Sequence, residues 1–358
     1  MTRAGDSSRC PLSFREVADA DFARLAPHIP TEAMAGKTIL LTGSTGFFGS
    51  WLLSLVDWQW RTQGTGARLL AVSRDPSAFL AKQPRFDGAS WLTWVPGDVR
   101  DFPFPTEPID YVLHAATDTS AAAGRDPRRL LETIVDGTRR VLNCAAQRQA
   151  GRILLVSSGA VYGPQPADVT HVDEGARTAP SPLDLGSAYA EGKRMMELMG
   201  AIHAHETGAA VTTARCFAFV GAGLPLDAHF AIGNFIRDAL WGDRIAVKGG
   251  GHAVRSYLYA ADLAVWLFRL LLSGETGTAY NVGSDASVTI AELARAVAAT
   301  LAPDLPVSIE GQDNPNAGRN RYVPSVARAK DLGLDVWTPL EEAITFTAST
   351  ATRGVDRP

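Results

Sequence analysis

The sequence has few cysteines, no long apolar run and no large excess of charge of one sign. Its three cysteines, Cys10, Cys144 and Cys216, lie far apart and form neither a disulfide framework nor a metal-ligand spacing, which fits a reducing compartment. The most apolar helical segment, "DLAVWLFRLLL" from Asp262, contains Arg269 and is too short to cross a bilayer. We therefore expect no metal site and no membrane partner.

The charge is nearly balanced, with a formal net charge of −4 over 358 residues. This balance gives no broad basic face and argues against nucleic acid as the main partner. The first residues, "MTRAGDSSRCPLSFREVADADF", lack the apolar run of a signal peptide, so we expect a cytoplasmic protein. A hydrophobic content of 46% is enough for one large domain or two coupled ones.

Strand and helix patterns alternate along the chain. The segments "KTILLTG", "RLLAVSR", "IDYVLHAA" and "RILLVSS" are predicted as buried strands, and "FFGSWLLSLVDWQW" and "PRRLLETIVDGTRRVLNCAA" as helices. Strands that are apolar almost throughout are typical of a parallel sheet covered on both faces. The alternation predicts an α/β fold with a doubly wound sheet, and "AVTTARCFAFVG" and "TAYNVGS" are predicted as later strands.

A glycine-rich segment, "LLTGSTGFFGSW", joins the first predicted strand to the first predicted helix. Gly43 permits a tight turn, Gly46 permits the close approach of a ligand, and Gly49 permits close packing of helix and strand. A helix N-terminus has unsatisfied N–H groups and a partial positive charge, which can bind a diphosphate. In this position the segment predicts binding of a dinucleotide pyrophosphate. The predicted glycine loop consists of Gly43, Thr45, Gly46, Phe47, Phe48 and Gly49.

The spacing Gly-x-x-Gly-x-x-Gly after Thr42 is followed, in order, by "GDVRD", "HAA", "VSSGAVYG", "YAEGK" and "RSYLYAADL". Together these motifs resemble the extended short-chain dehydrogenase/reductase family, the NAD(P)-dependent nucleotide-sugar epimerases and dehydratases, over residues 37–343. The resemblance implies a Rossmann-type doubly wound parallel sheet with a smaller C-terminal substrate-binding lobe. It also implies that Asp98 and Val99 contact the adenine and that Ala115 and Ala116 line the cofactor site.

The resemblance and the composition together suggest three regions. Residues 1–35 are mixed and polar, and we expect a loosely docked N-terminal extension. Residues 36–180 are predicted to form the NAD(P)-binding domain. Residues 181–350 are predicted to form mainly the substrate-binding lobe, with strands near 210–220 and 278–284 returning to the main sheet.

A candidate catalytic pair is Tyr189 and Lys193, which are four residues apart and share a helix face. A phenol with an ordinary pKa of about 10 is a poor base at neutral pH, but a nearby ammonium favours the phenolate. Such a tyrosine can take a proton from a sugar hydroxyl while hydride leaves the same carbon. An ordinary surface helix is the alternative explanation of this spacing.

The resemblance assigns the base role to Tyr189 and implies that Lys193 also holds the nicotinamide ribose. It further implies that Ser158, at the end of "RILLVSS", hydrogen-bonds the reacting oxygen. The adjacent Ser157 is an alternative, and counting back from Val161 of the shared "VYG" favours Ser158.

The second predicted strand indicates which dinucleotide binds. A strand that prefers NAD usually ends in an acid that binds the adenosine ribose, but here it ends in Ser73 followed by Arg74. A serine leaves room for a 2′-phosphate and an arginine can pair with it, so we expect NAD(P) with a preference for NADP. Two alternatives remain open: Arg74 is only a solubilising charge, or Asp75 folds back to replace the missing acid.

The residues after Ser158 bear on the reaction. Dehydrating members of the family that the chain resembles often carry Asp-Glu directly after the catalytic hydroxyl residue, and decarboxylating members tend to carry a glutamate near there. This sequence has Gly159 and Ala160. We therefore expect hydride transfer at C4 of a nucleotide hexose, as 4-epimerisation or as NADPH-dependent reduction of a 4-keto sugar. A 4,6-dehydratase would need an atypical acid, for which Asp118 is a candidate, although Asp118 could equally cap a loop.

The resemblance also implies that Arg255, in "AVRSYLY", contacts the nucleotide diphosphate, a task that suits a bidentate guanidinium. A structural ion pair is the alternative. Ala218 and Asp136 stand where the family usually has asparagine, which leaves the nucleotide and the sugar undefined. We interpret His114 as a hydrogen-bonded core residue rather than a base.

Two rival functions and one assembly complete the expectations. A non-catalytic NADP(H)-sensing protein could have the same fold, but it would not need a tuned phenol. A reductase of a non-nucleotide carbonyl is disfavoured by Arg255 and by the large C-terminal lobe. The predicted helices around residues 130–145 and 188–199 are expected to pair in a homodimer, as in the family.

Overall fold

A computed structural model describes residues 11–118, 123–228, 230–311 and 321–352 of the chain. Its α-helices are α1 (Phe14–Leu25), α2 (Thr31–Met34), α3 (Phe47–Gln63), α4 (Pro76–Lys82), α5 (Pro127–Gln147), α6 (Ala188–Thr207), α7 (Ala231–Trp241), α8 (Ala260–Ser273), α9 (Ile290–Leu301), α10 (Ala327–Asp331) and α11 (Leu340–Ser349). Its strands are β1 (Thr38–Thr42), β2 (Arg68–Ser73), β3 (Leu92–Pro96), β4 (Tyr111–His114), β5 (Arg152–Ser158), β6 (Ala210–Cys216), β7 (Phe219–Val220), β8 (Ile245–Val247), β9 (Val254–Arg255), β10 (Leu258–Tyr259), β11 (Ala279–Val282), β12 (Val288–Thr289), β13 (Val307–Ile309) and β14 (Arg321–Tyr322).

Seven strands form one sheet in the order β11-β6-β5-β4-β1-β2-β3, and every adjacent pair is parallel. The predicted doubly wound parallel sheet is confirmed. The strand order reverses where β1 lies between β2 and β4. In open α/β sheets, ligands bind in the crevice beyond the carboxyl ends of the strands at such a point.

Neighbouring residues of the central strands pack into different cores because successive side chains point to opposite faces. Leu40 of β1 packs in a core that contains Ile134 of α5 and Met196 of α6. Leu41, one residue later, packs in a core that contains Trp51 of α3. The sheet is therefore buried on both faces, which explains why its strands are apolar almost throughout.

The N-terminal segment is part of this packing. Helix α1 buries Val17 and Phe22, and the ring of Phe22 lies edge-on to that of Trp51 with centroids 5.9 Å apart. The Tyr259 hydroxyl donates to the buried carboxylate of Asp21 at 2.6 Å. The expectation of a loosely docked extension is wrong for residues 14–34. The sequence does indicate a helix here, because a Ser-x-x-Glu capping box at Ser13 precedes apolar residues at helical spacing.

The remaining strands form three small sheets, β10-β7, β12-β9-β14 and β13-β8. Of the region 210–220, only β6 joins the main sheet, because β7 pairs with β10 instead. Strand β11 covers the predicted return near 278–284. Strand β3 was not predicted, since its pattern "LTWVP" mixes polar and apolar residues. Within the described ranges, no helix is long and apolar enough to cross a membrane.

Candidate active site

The glycine loop connects β1 to the N-terminus of α3. Gly43 has a φ of +73°, and a Cβ added there would lie 2.7 Å from the Ala115 carbonyl carbon. A Cβ at Gly49 would lie 2.3 Å from the carbonyl oxygen of Gly43. These two glycines are therefore required by the fold, for the turn and for the approach of α3 to the loop.

Gly46 differs from the other two glycines. Its φ of −84° suits any residue, and an added Cβ would meet only the Gly43 oxygen, at an ordinary 3.6 Å. The packing of the described chain therefore gives no reason for a glycine at the N-cap of α3. A phosphate that approaches the N–H groups of the helix end gives such a reason, because it needs the backbone bare at that point.

The loop after β4 is held against the glycine loop by a buried polar chain. The Thr42 hydroxyl lies 2.7 Å from His114 Nδ1 and accepts from the Ala116 amide at 3.2 Å. His114 Nε2 lies 3.2 Å from the Thr138 hydroxyl of α5. Burial lowers the pKa of His114 to about 3, so the ring is neutral. His114 thus connects β1, β4 and α5 and positions Ala115 and Ala116, as a core residue and not as a base.

The end of β2 presents the two residues that bear on the choice of dinucleotide. Ser73 is buried and its hydroxyl accepts from the Asp75 amide at 3.3 Å. Asp75 Oδ1 accepts from the Ala78 amide at 2.9 Å and caps α4. Arg74 is exposed. Asp75 therefore has a structural task in α4, which weakens the alternative that it replaces the missing acid.

The turn after β3 lies beside this position. The Gly97 amide donates to the Ser73 carbonyl at 2.9 Å, so the ends of β2 and β3 are joined. The Asp98 carboxylate pairs with Arg100 at 2.8 Å. This hydrogen-bonded guanidinium lowers the pKa of Asp98, and the charge of Arg74 lowers it further. Val99, the other residue expected near the adenine, is buried.

Helix α6 brings Tyr189 and Lys193 to the carboxyl ends of β4 and β5. Lys193 Nζ donates to the Thr117 hydroxyl at 2.8 Å and to the Val156 carbonyl at 2.7 Å. The same atom lies 5.9 Å from the centroid of the Tyr189 ring. The lysine is 2% exposed, and burial lowers its pKa to about 8. The ammonium is therefore fixed beside a half-buried phenol by the loop after β4 and the backbone of β5.

Ser157 and Ser158 have different partners at the end of β5. The Ser157 hydroxyl donates to Glu197 Oε1 of α6 at 2.6 Å. The Ser158 hydroxyl accepts from the Ala160 amide at 3.1 Å, at the start of a 3₁₀ turn over Gly159–Tyr162. The Ser157 hydroxyl is thus engaged with a carboxylate, whereas Ser158 is the last residue of β5.

The fold found here also characterises known enzymes. The sequence matches the NAD dependent epimerase/dehydratase family over residues 39–283. The chain belongs to this family. UDP-glucuronic acid decarboxylase 6 of Arabidopsis thaliana is 29% identical over 310 residues, which cover 86% of each chain.

Two solved structures show the same fold at low identity. A UDP-glucose 4-epimerase with UDP-glucose from Thermotoga maritima has a TM-score of 0.73 at 21% identity, over 87% of this chain and 98% of the other. RMD from Pseudomonas aeruginosa complexed with NADPH has a TM-score of 0.68 at 24% identity, over 88% and 98%. Family membership makes this chain an NAD(P)-dependent nucleotide-sugar enzyme and argues against a non-catalytic sensor.

The site fits the dinucleotide of the epimerase/dehydratase family. The N-terminal amides of α3, the bare backbone at Gly46 and the ends of β1, β2 and β4 lie along one edge of the sheet. The amides of α3 and the bare backbone at Gly46 would hold the pyrophosphate. The end of β2 would hold the adenosine, and the end of β4 would face the nicotinamide half. Among the residues that the structure describes, no cluster of three or more His, Cys, Asp or Glu side chains could hold a metal ion.

Two aromatic residues that the sequence did not single out, Phe217 and Tyr322, pack against Gly159, the residue after Ser158. A Cβ at Gly159 would lie 2.6 Å from Phe217 Cζ and 2.7 Å from the Tyr322 hydroxyl oxygen. The two rings lie 4.6 Å apart. They are 105 positions apart in the sequence, and no local pattern links them. A side chain at residue 159 would therefore require one or both rings to move.

The pairing of β9 with β14 places Arg255 next to Tyr322. Arg255 of β9 and Tyr322 of β14 are paired in register, so their side chains project from the same face of the small sheet. Since the Tyr322 hydroxyl reaches Gly159, this pairing places Arg255 one strand away from the residue that contacts the turn after Ser158. Asp118 is exposed and immediately follows Thr117, the partner of Lys193.

Proposed function

We propose that this family member transfers hydride at C4 of a nucleotide hexose and that the net reaction is 4-epimerisation. The observation that carries the proposal is the Lys193 ammonium, which is buried, held by Thr117 and Val156, and 5.9 Å from the Tyr189 ring. A fixed cation beside a phenol favours the phenolate, which can act as a base at neutral pH.

Each residue then has one task. Bound NAD(P) supplies the acceptor and later the donor of hydride. Tyr189 takes the proton from the C4 hydroxyl as hydride leaves C4, and returns it when hydride comes back. Ser158 hydrogen-bonds the same oxygen and keeps it in line with Tyr189. For epimerisation, the keto sugar must turn before hydride returns to its other face.

The turn after Ser158 supports hydride transfer without elimination. Removing water from neighbouring carbons needs further proton transfers, and hence a further acid or base. Gly159 and Ala160 supply neither, Ala160 is buried, and the Phe217 and Tyr322 rings lie directly against Gly159. A dehydratase would need an acid from outside this turn, with Asp118 as the first candidate.

Decarboxylation is the activity named for the Arabidopsis thaliana relative. The decarboxylating members that the sequence resembles tend to carry a glutamate near the position of Ala160, and this chain does not. We therefore keep epimerisation as the proposal and treat decarboxylation as an outcome of the test.

NADP is the proposed dinucleotide. The exposed Arg74 follows a buried Ser73 at the end of β2, so a 2′-phosphate would meet a guanidinium and a small hydroxyl residue rather than a carboxylate. This arrangement also favours the second candidate, reduction of a 4-keto sugar by NADPH. We further propose that Arg255 binds the nucleotide diphosphate, from its place beside Tyr322.

We propose a homodimer formed through α5 and α6. Met195, Leu198 and Ile202 lie three and four residues apart on one face of α6, and Leu131 lies on α5. All four are between 39% and 54% exposed. An apolar helix face of this kind is typical of a surface covered by another chain. The free, buried Cys144 and Cys216 fit the proposed cytoplasmic location.

Product stoichiometry tests the reaction. The enzyme is incubated with UDP- and dTDP-hexoses and with 4-keto sugars, and reduced-cofactor absorbance and product mass are followed together. An isomer of equal mass with no net change of cofactor supports 4-epimerisation. A gain of two hydrogens with oxidation of NADPH identifies the reductase instead. A product lighter by water or by carbon dioxide contradicts the proposal. It would also contradict the interpretation that Gly159 and Ala160, which carry no acid, indicate hydride transfer without elimination.

A further inference from the structure

A partly buried ion pair lies one helical turn beyond Lys193 on α6. Glu197 follows Lys193 by four residues on α6, so the two share a helix face. The Glu197 carboxylate accepts from Arg215 Nη2 at 2.7 Å and from Arg215 Nε at 3.1 Å, and it also accepts from Ser157. Both charged side chains are 16% exposed. This is the planar, bidentate geometry in which arginine binds a carboxylate most strongly.

The pair extends into the elements that carry the candidate catalytic residues. Arg215 Nη1 donates to the Tyr162 hydroxyl at 2.9 Å, and that hydroxyl donates to Asn281 Oδ1 at 2.8 Å. Tyr162 ends the 3₁₀ turn that Ser158 begins. The network therefore joins α6, the strands β5, β6 and β11, and the turn after Ser158 in one hydrogen-bonded unit.

The titratable groups that face Lys193 lie on three elements. Tyr189 and Glu197 lie on its own helix, Cys216 on β6 and His114 on β4. Burial lowers the pKa of His114 to about 3 and raises that of Cys216 to about 12, so both are uncharged near neutral pH. The Glu197 carboxylate raises the pKa of Lys193 against the larger effect of burial.

An ion pair that is largely shielded from water is by itself weak evidence for a purely structural role, since well-packed apolar residues often stabilise as much. We propose that Glu197 and Arg215 are positioning residues: their bidentate pair fixes α6 on β5 and β6, so that Tyr189 and Lys193 are held at the end of β5 next to Ser158, and their opposite charges cancel near the Tyr189 phenol. This proposal rests on the proposed base role of Tyr189.

The test removes one charge at a time. Glu197→Gln leaves the Arg215 cation unbalanced, which favours the Tyr189 phenolate and moves its ionisation to lower pH. Arg215→Gln leaves the carboxylate unbalanced and moves the ionisation to higher pH. We expect opposite shifts of about half a pH unit or more, and a double variant within about a quarter of a unit of the wild type.

The readout is the ultraviolet absorbance of tyrosinate during a pH titration of the purified protein. Each variant is compared with its Tyr189→Phe counterpart, and the difference isolates Tyr189 without any substrate. The matched control is the exposed pair Arg244 and Glu310, 3.3 Å apart beside the two-stranded sheet β13-β8, whose glutamine variants should cause no shift.

Shifts in the same direction, or none, in the two single variants would overturn the proposal. If either glutamine variant fails to fold, Glu197→Asp and Arg215→Lys keep the charges and lose the bidentate geometry. They should then lower kcat with no shift of the Tyr189 ionisation, and an unchanged kcat would overturn the positioning role. The base role fails separately, if Tyr189→Phe turns over like the wild type.

Discussion

The glycine loop allows a matched pair of substitutions, Gly46→Ala and Gly49→Ala, to separate cofactor binding from folding. At Gly49 the new methyl group would lie 2.3 Å from the Gly43 oxygen and the Ser44 carbonyl carbon. These are backbone atoms that cannot rotate away. We expect Gly49→Ala to lower the free energy of unfolding by about 1–3 kcal/mol or more, as overpacking does.

At Gly46 the same methyl group meets only the Gly43 oxygen at 3.6 Å, and φ is −84°. The lower entropy of the unfolded alanine chain offsets the weaker helix cap, so stability should change by less than about 1 kcal/mol. The methyl group would instead hold a diphosphate away from the amides of α3. Losing one charge-assisted hydrogen bond costs roughly 1.5–3 kcal/mol, or about tenfold or more in affinity.

The assay combines urea unfolding, followed by tryptophan fluorescence, with fluorescence titration of NAD and NADP. Gly249→Ala is the control, because a Cβ there meets nothing within 4 Å and the position lies in the loop after β8. If Gly46→Ala binds both dinucleotides as tightly as the wild type, the pyrophosphate does not approach this helix end. If the two substitutions destabilise equally, the distinction between the glycines is wrong.

Further predictions concern four other positions. Arg74→Ala should weaken NADP(H) binding by about tenfold or more and leave NAD(H) binding nearly unchanged in fluorescence titrations; an equal loss for both would show that Arg74 does not contact the 2′-phosphate. Because burial lowers the pKa of Lys193 to about 8, kcat/KM should fall as pH rises through that value; a level profile across it would contradict a role for the ammonium. Leu198→Arg should shift sedimentation from dimer to monomer, and an unchanged dimer would place the interface elsewhere. Burial raises the pKa of Asp262 to about 6, so its contribution to stability is present in acid and is lost as pH rises from about 4 to about 6; in urea unfolding, Asp262→Asn should flatten this decline, and an unchanged slope would assign it to other groups.

Local sequence patterns predict much of the fold. The apolar strands and the glycine loop can be predicted because each depends on residues that are neighbours in sequence. Helix α1 was misjudged although its capping box and apolar spacing were visible, because its contact with Trp51 lies in the tertiary structure. Strand β3 was missed because its side chains alternate irregularly between polar and apolar.

The candidate site was predictable where a motif carries its own geometry. Tyr189 and Lys193 share a helix face by spacing alone, and the structure adds Thr117 and Val156, which hold the lysine. No local pattern could reveal the contact between the Phe217 and Tyr322 rings, or the ion pair of Glu197 and Arg215. Each joins segments that are distant in sequence and that only the folded chain brings together.

The most direct test of the account is turnover by Tyr189→Phe beside Tyr111→Phe. Tyr111 begins β4, at the edge of the sheet opposite the site, so its variant controls for the loss of a phenol hydroxyl. With the nucleotide hexose that the wild type converts, we predict that Tyr189→Phe loses at least about a hundredfold in kcat, while its affinity for NAD(P) stays within about twofold. Activity of Tyr189→Phe within about threefold of the wild type would contradict the assignment of Tyr189 as the proton-transferring residue.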